Sequence, residues 1–101
     1  MVNKQEDLLL KEKDIRLSPP KSFKVILLND DYTPMEFVVL VLKKYFMLET
    51  EKATQVMLKV HTEGMAVCGI FSKDVAASKV DQVVKFSRKN NHPLQCTMEE
   101  N

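Results

Sequence analysis

Val25-Ile26-Leu27-Leu28-Asn29-Asp30-Asp31-Tyr32-Thr33-Pro34-Met35-Glu36-Phe37 is the stretch whose reading decides the fold. An apolar, partly β-branched run, Phe23 to Leu28, has the character of a strand and stops at three polar turn formers. A helix is signalled at once. Thr33 suits the N-cap, Pro34 the first helical position, and Glu36 the reciprocal position of a capping box. Asn29 and Asp30 therefore fall where the backbone changes direction, beside apolar surface.

Working outward, the helix is expected from Pro34 to about Phe46. Val38, Val41, Leu42 and Tyr45 share one face, and Lys43 and Lys44 suit the C-terminal end of the helix dipole. A second helix begins at Thr50, with Glu51 in its first turn. Ala53, Val56, Met57, Val60 and His61 share a face, and Gly64 is a natural left-handed stop. Met65 to Phe71 is nearly continuously apolar and reads as a central strand, with Gly69 either weakening it or admitting another backbone. Ser72 caps a third helix that carries Asp74 in its first turn, Val75, Val80, Val83, Val84 and Phe86 along its length, and Asn90-Asn91 at its end. Leu94, Cys96 and Met98 then alternate with Gln95 and Thr97 after Pro93, the pattern of a half-buried edge strand. The order β-α-α-β-α-β belongs to the α+β class. It predicts a two-layer domain in which three helices pack on one face of a three-stranded antiparallel sheet.

The 101 residues make one small domain, and a hydrophobic fraction of 45% supports a true core. Residues 1–22 differ from the rest: charges of both signs surround Leu8-Leu9-Leu10 and lead to Ser18-Pro19-Pro20. Prolines block regular pairing, so this part is expected to be a mobile extension joined to a core domain over 23–101, with a short packed helix near residues 5–16 as the alternative. A net charge of +1 and no basic stripe argue against nucleic acid or an anionic membrane as partner. The N-terminus lacks the apolar core of a signal peptide, and no apolar run is long enough to span a bilayer. A cytoplasmic protein with reduced thiols is expected, Cys68 and Cys96 being small buried hydrophobes.

Asn29 and Asp30 offer hydrogen-bond acceptors at the mouth of a possible apolar pocket, and Met57-Leu58-Lys59-Val60-His61 offers a second apolar face ending in an imidazole. Acceptors around an apolar hole suit a ligand with an ammonium group beside a large hydrophobic side chain, which describes the free N-terminus of a peptide. Each feature also has a plainer reading. Asn29-Asp30-Asp31 is a turn, His61 a boundary histidine, and Met35 with Met57 ordinary core filler. His61, Cys68, His92 and Cys96 lack zinc-site spacing, a Cys–His nucleophile is equally weakly signalled, and Gly64 and Gly69 make no phosphate-cradling loop. No metal or cofactor is expected.

These residues together resemble the ClpS family, adaptors that bring N-end-rule substrates to the ClpAP protease. The resemblance runs over roughly residues 23–99. It is carried by Lys24-Val25-Ile26-Leu27, Asn29 to Val38, Met57 to His61, Gly64, Cys68-Gly69-Ile70-Phe71 and His92 to Thr97. It implies a non-enzymatic adaptor, monomeric, with the fold read above, which is similar to the C-terminal domain of the ribosomal stalk protein. Asn29, Asp30 and His61 would bind the α-amino group. Leu27, Leu28, Thr33, Met35, Val38, Met57, Val60 and Leu94 would line a pocket for Leu, Phe, Tyr or Trp. The N-terminal domain of a ClpA-type unfoldase would dock near Asp74 and Lys79. Two other readings stay open: an interaction module that redirects the protease without holding substrate, and a stalk-like ribosome-binding domain suggested by fold analogy alone.

Overall fold

The computed structural model describes residues 20–101. The alternative helix near residues 5–16 and nearly all of the expected extension lie outside them. The elements are β1 (Ser22–Leu28), α1 (Met35–Phe46), α2 (Thr50–Glu63), β2 (Met65–Ser72), α3 (Lys73–Lys89) and β3 (Gln95–Glu100). This is the β-α-α-β-α-β order, with three helices on one face of a three-stranded antiparallel sheet. The strand β1 opens at Ser22, one residue before the expected boundary, because Ser22 pairs with Ser72 across the sheet.

The strand order is β2-β1-β3. This corrects the sequence expectation, in which Met65–Phe71 is central. The central strand is β1, where Val25, Ile26 and Leu27 are all buried. In β2 only alternate residues turn inward: Ala66 and Cys68 enter the core, while Met65, Val67 and Ile70 remain about half exposed at 44%, 43% and 54%. The apolar run is therefore an edge strand with one wet apolar face. The β1–β2 register shifts between Val25 and Ile26, leaving Cys68 as the extra residue of a bulge. A Cβ on Gly69 would lie 2.6 Å from the Phe71 ring, so the glycine makes room for a side chain rather than for another backbone.

The core forms where β1 meets the inner helix faces. Val25 and Leu27 pack with Phe37, Val41 and Leu42 of α1, Val56 and Val60 of α2, and Ala76 and Val83 of α3. Helix ends follow the expected signals at three places. Gly64 takes the left-handed conformation (φ 87°) after α2, the Ser72 hydroxyl accepts from the Val75 amide at the start of α3, and Asn90 caps its end. Helix α1 departs from expectation. Its N-cap is Pro34, with no side-chain cap, and the helix starts at Met35. The Thr33 hydroxyl is engaged elsewhere, by Asp30, so the capping box with Glu36 does not form.

Deleting core volume should cost far more than deleting exposed apolar surface on the same helix. Leu42 is fully buried and Leu40 is 48% exposed. Leu42→Ala should lower unfolding free energy by about 2–5 kcal/mol, and Leu40→Ala by less than about 1 kcal/mol. Urea denaturation of both variants checks the difference.

Candidate functional site

At the C-terminal end of β1 the chain turns away from the sheet and lies against the end of α2. The Asn29 amide donates to the Gly64 carbonyl (2.9 Å), joining the loop after β1 to the turn after α2. That single bond puts Asn29 and His61, far apart in sequence, on one rim. Between the loop, the first turns of α1 and the inner face of α2 lies a cavity of about 380 Å³. Its mouth holds Asn29, Asp30, Asp31, Tyr32 and His61, and its wall Thr33, Pro34, Met35, Val38, Met57 and Val60. A volume near the low end of the ~300–1,000 Å³ range of small-ligand sites suits something the size of an amino acid.

The polar end has an internal order. Asp30 Oδ1 accepts from the amides of Tyr32 (2.8 Å) and Thr33 (2.7 Å), and Oδ2 accepts from the Thr33 hydroxyl (2.8 Å). Partial burial is the largest single influence on this carboxylate and pushes its pKa up. The Thr33 hydroxyl, the two amides and the charge of Arg88 together outweigh it and hold the pKa below the ordinary value. The charge of Asp30 is thereby secured at neutral pH. Asn29 and His61 are exposed at the rim, with side chains available as acceptors.

The apolar wall comes from helix faces. Val38, Met57 and Val60 are nearly buried, whereas Met35, in the first turn of α1, is 43% exposed and stands at the opening. Of the expected pocket residues, Thr33, Met35, Val38, Met57 and Val60 line the cavity. Leu27, Leu28 and Leu94 are not among the lining residues. Leu27 and Leu94 are spent on the core, at 0% and 1% exposure, and Leu28 is half-buried at the end of β1, on the sheet face away from the helices. Sequence reasoning missed Tyr32 at the mouth and Pro34 in the wall, although both sit inside the decisive stretch. It also missed Arg88, whose approach to Asp30 leaves no local signature.

The expected docking pair lies on α3. Asp74 is exposed in its first turn. Lys79 is only half exposed: its ammonium donates to the Tyr45 carbonyl in the last turn of α1 (2.7 Å) and sits 5.8 Å from the centre of the Phe71 ring. Neither lines the cavity. Among the described residues no group of three or more His, Cys, Asp or Glu could hold a metal ion. Burial, chiefly, pushes the Cys68 and Cys96 thiols up to about 12, so neither supplies a thiolate nucleophile at neutral pH. No described helix is long and apolar enough to cross a membrane.

Comparison with known proteins points one way. The family model described as "ATP-dependent Clp protease adaptor protein ClpS" matches residues 18–97. The ClpS adapter protein of Aromatoleum aromaticum is 59% identical over 98 residues, covering 97% of this chain and 96% of that protein. That of Burkholderia mallei is 55% identical over 98 residues, covering 97% and 94%. Among solved structures, Agrobacterium tumefaciens ClpS2 bound to L-phenylalaninamide matches with a TM-score of 0.79 at 39% identity, covering 81% of this chain and 99% of that one.

The turn at Gly64 connects the two sides of the site, which makes it a test of the geometry. A Cβ there meets nothing within 4 Å, so only the left-handed backbone resists a side chain. Gly64→Ala should destabilise the protein by about 1–2 kcal/mol and speed hydrogen exchange at the Asn29 amide. A neutral substitution with unchanged exchange would show that this turn imposes no constraint on the rim.

Proposed function

The chain belongs to the ClpS family, the adaptors of the ATP-dependent Clp protease, and on that premise we propose that it captures proteins by their free N-terminus when the first residue is Leu, Phe, Tyr or Trp. One observation carries the reading: a cavity with an apolar wall has its hydrogen-bond acceptors gathered at the mouth. A ligand filling it must be hydrophobic at one end and rich in donors at the other. An α-ammonium presents three donors, whereas an internal amide presents at most one. The Asn29 side-chain carbonyl and a neutral ring nitrogen of His61 accept from the ammonium, and Asp30 supplies negative charge, directly or through water. Val38, Met57 and Val60 receive the side chain. The phenylalaninamide held by the Agrobacterium relative is a molecule of this kind, an aromatic side chain beside a free amine.

Membership of the family supports a second step, delivery. The bound protein is handed to a ClpA-type AAA+ unfoldase, whose N-terminal domain docks on the α3 surface around Asp74, and residues 1–22 are the part that engages the unfoldase during handover. Lys79 shapes that surface while anchored to Tyr45. The adaptor is read as a cytoplasmic monomer that performs no chemistry of its own. The competing reading, a module that redirects the protease without holding substrate, parts from this one on peptide binding alone.

Affinity should depend on the ammonium. Filling the pocket with Leu or Phe contributes about 1.5–3 kcal/mol, and each charge-assisted hydrogen bond about 1.5–3 kcal/mol, offset in part by ordering. A dissociation constant of order micromolar or tighter is expected for a peptide starting with Leu or Phe. N-acetylation, which removes the charge and two donors, should abolish binding in fluorescence anisotropy. Equal binding of the acetylated peptide defeats the ammonium site, and no binding of either favours the redirecting module.

Selectivity among apolar residues should reside in Met35. Its side chain stands at the opening, where it crowds a ligand branched at Cβ. Met35→Ala should gain binding of peptides starting with Ile or Val while changing Phe little. Unaltered discrimination in a titration across first residues would put the filter elsewhere in the wall.

A further inference from the structure

An ionised carboxylate has about four lone-pair positions, and Asp30 has spent three of them on its own loop, through the amides of Tyr32 and Thr33 and the Thr33 hydroxyl. About one position remains, on Oδ2. The side chain is therefore not free to swing out and grip an ammonium, because doing so would leave two amides of the loop without partners. Yet its negative charge is present at the mouth of the cavity. We propose that Thr33 is a positioning residue that acts through Asp30: it keeps the carboxylate turned into the loop, so that an arriving ammonium meets a fixed negative field and a prebuilt rim instead of a ligand that must first be reoriented.

The inference rests on the proposed N-terminus binding and gives it a mechanism of preorganisation. Three bonds of 2.7–2.8 Å fix the backbone from Asp30 to Thr33 before any ligand arrives. That backbone sets the direction in which Asn29 presents its side chain and in which Pro34 starts α1, and so the place of Met35. The ordering cost is met on folding, not on binding. The charged and titratable groups around Asp30 are Asp31 in its own loop, His61 at the same cavity mouth, and Arg88 of α3, which acts on it through its charge. Of these, Arg88 draws on Asp30 in the same direction as the Thr33 hydroxyl.

A direct-ligand role and a positioning role predict opposite signs for one substitution. Thr33→Val preserves shape and removes the hydroxyl. If Asp30 were the direct grip, freeing Oδ2 would leave binding of a free N-terminal Phe peptide equal or tighter. With Thr33 as the positioning residue, binding should weaken, by roughly tenfold for the loss of one hydrogen bond to a charged group. Thr33→Ser, which keeps the hydroxyl, should restore it. A second readout needs no ligand. Carboxyl-carbon NMR titration of Asp30 in the full chain should show its pKa moving up in Thr33→Val and returning in Thr33→Ser, a change that mere loosening of a structural turn, with Oδ2 still bonded, would not give. An unmoved Asp30 titration, or binding equal or tighter in Thr33→Val, overturns the proposal. If the wild-type chain binds no free N-terminal peptide, the proposal falls with the functional reading, and the NMR titration then shows separately whether the Thr33–Asp30 hold exists. Thermal melts identify simple unfolding; if Thr33→Val does not fold, Thr33→Ala, which also lacks the hydroxyl, supplies the comparison.

Discussion

Val25, Ile26 and Leu27 are buried on both faces of a strand that is also paired along both edges. A segment confined in this way has no freedom except at its ends, and the candidate ligand site is arranged around one of them. The strand cannot continue past Leu28 without carrying polar residues into the core, so the chain must leave the sheet there. Where it leaves, the Asn29 amide finds the Gly64 carbonyl, and a loop from one side of the domain becomes the neighbour of a helix end from the other. The cavity is the space left between a strand that has to stop and two helices that pack on it at an angle. Its polar mouth and apolar wall are consequences of the same boundary, with core residues on one side and turn residues on the other.

Much of this was legible in the sequence because the signals are local. Gly64 ends its helix since only a residue without a Cβ takes φ 87° at no cost, and Ser72 and Asn90 mark the ends of α3 by chemistry confined to a few residues. Strand order is different. Met65 to Phe71 and Val25 to Leu28 are both apolar runs, and nothing within either says which has partners on two sides. That depends on β3 joining the far edge of β1. The expected pocket list differs from the observed lining for a related reason. Leu27 and Leu94 have the right character for a wall but are consumed by the core, and composition cannot separate an apolar residue facing a cavity from one facing its neighbours. At Thr33 two local rules compete for a single hydroxyl. It can cap the helix ahead or bond the carboxylate behind, and the structure gives it to Asp30, which also gathers the Tyr32 and Thr33 amides and so satisfies more backbone than a cap would.

Lys79 links the two surfaces that an adaptor has to present. Its ammonium is held by the carbonyl of Tyr45 in the last turn of α1, while the first turn of the same helix carries Met35 into the cavity wall. Helix α1 thus runs between the proposed substrate site at its N-terminal end and α3, the proposed docking helix, at its C-terminal end. Removing Lys79 would take a charge from the docking surface and also leave a helix-end carbonyl unpaired, so a defect in that variant would not by itself assign the residue to the unfoldase contact. Asp74 has no such second duty among the described residues, and its side chain is exposed. A docking role read from Asp74 is accordingly the cleaner one.

If this site holds a free N-terminus as proposed, it is rigid where it meets the ammonium and deformable where it meets the side chain. The polar rim is fixed by backbone: the Asn29–Gly64 bond and the amides that Asp30 gathers. The wall offers Met57, an unbranched side chain that can refill space as different guests enter. On the proposed function, rigidity at the charged end would make a free N-terminus a strict requirement, since any other group leaves acceptors unmet at a cost that repacking cannot recover. Plasticity at the apolar end would let leucine and the aromatic residues share one cavity, since a methionine can move aside for a ring and return for a smaller guest. The limit of that tolerance is set where plasticity is lost, at the opening, where Met35 lies close to the fixed rim and the ligand's own backbone. Branching at Cβ would put bulk at that point, so on the proposed function discrimination by shape and discrimination by charge would arise within one helical turn of each other.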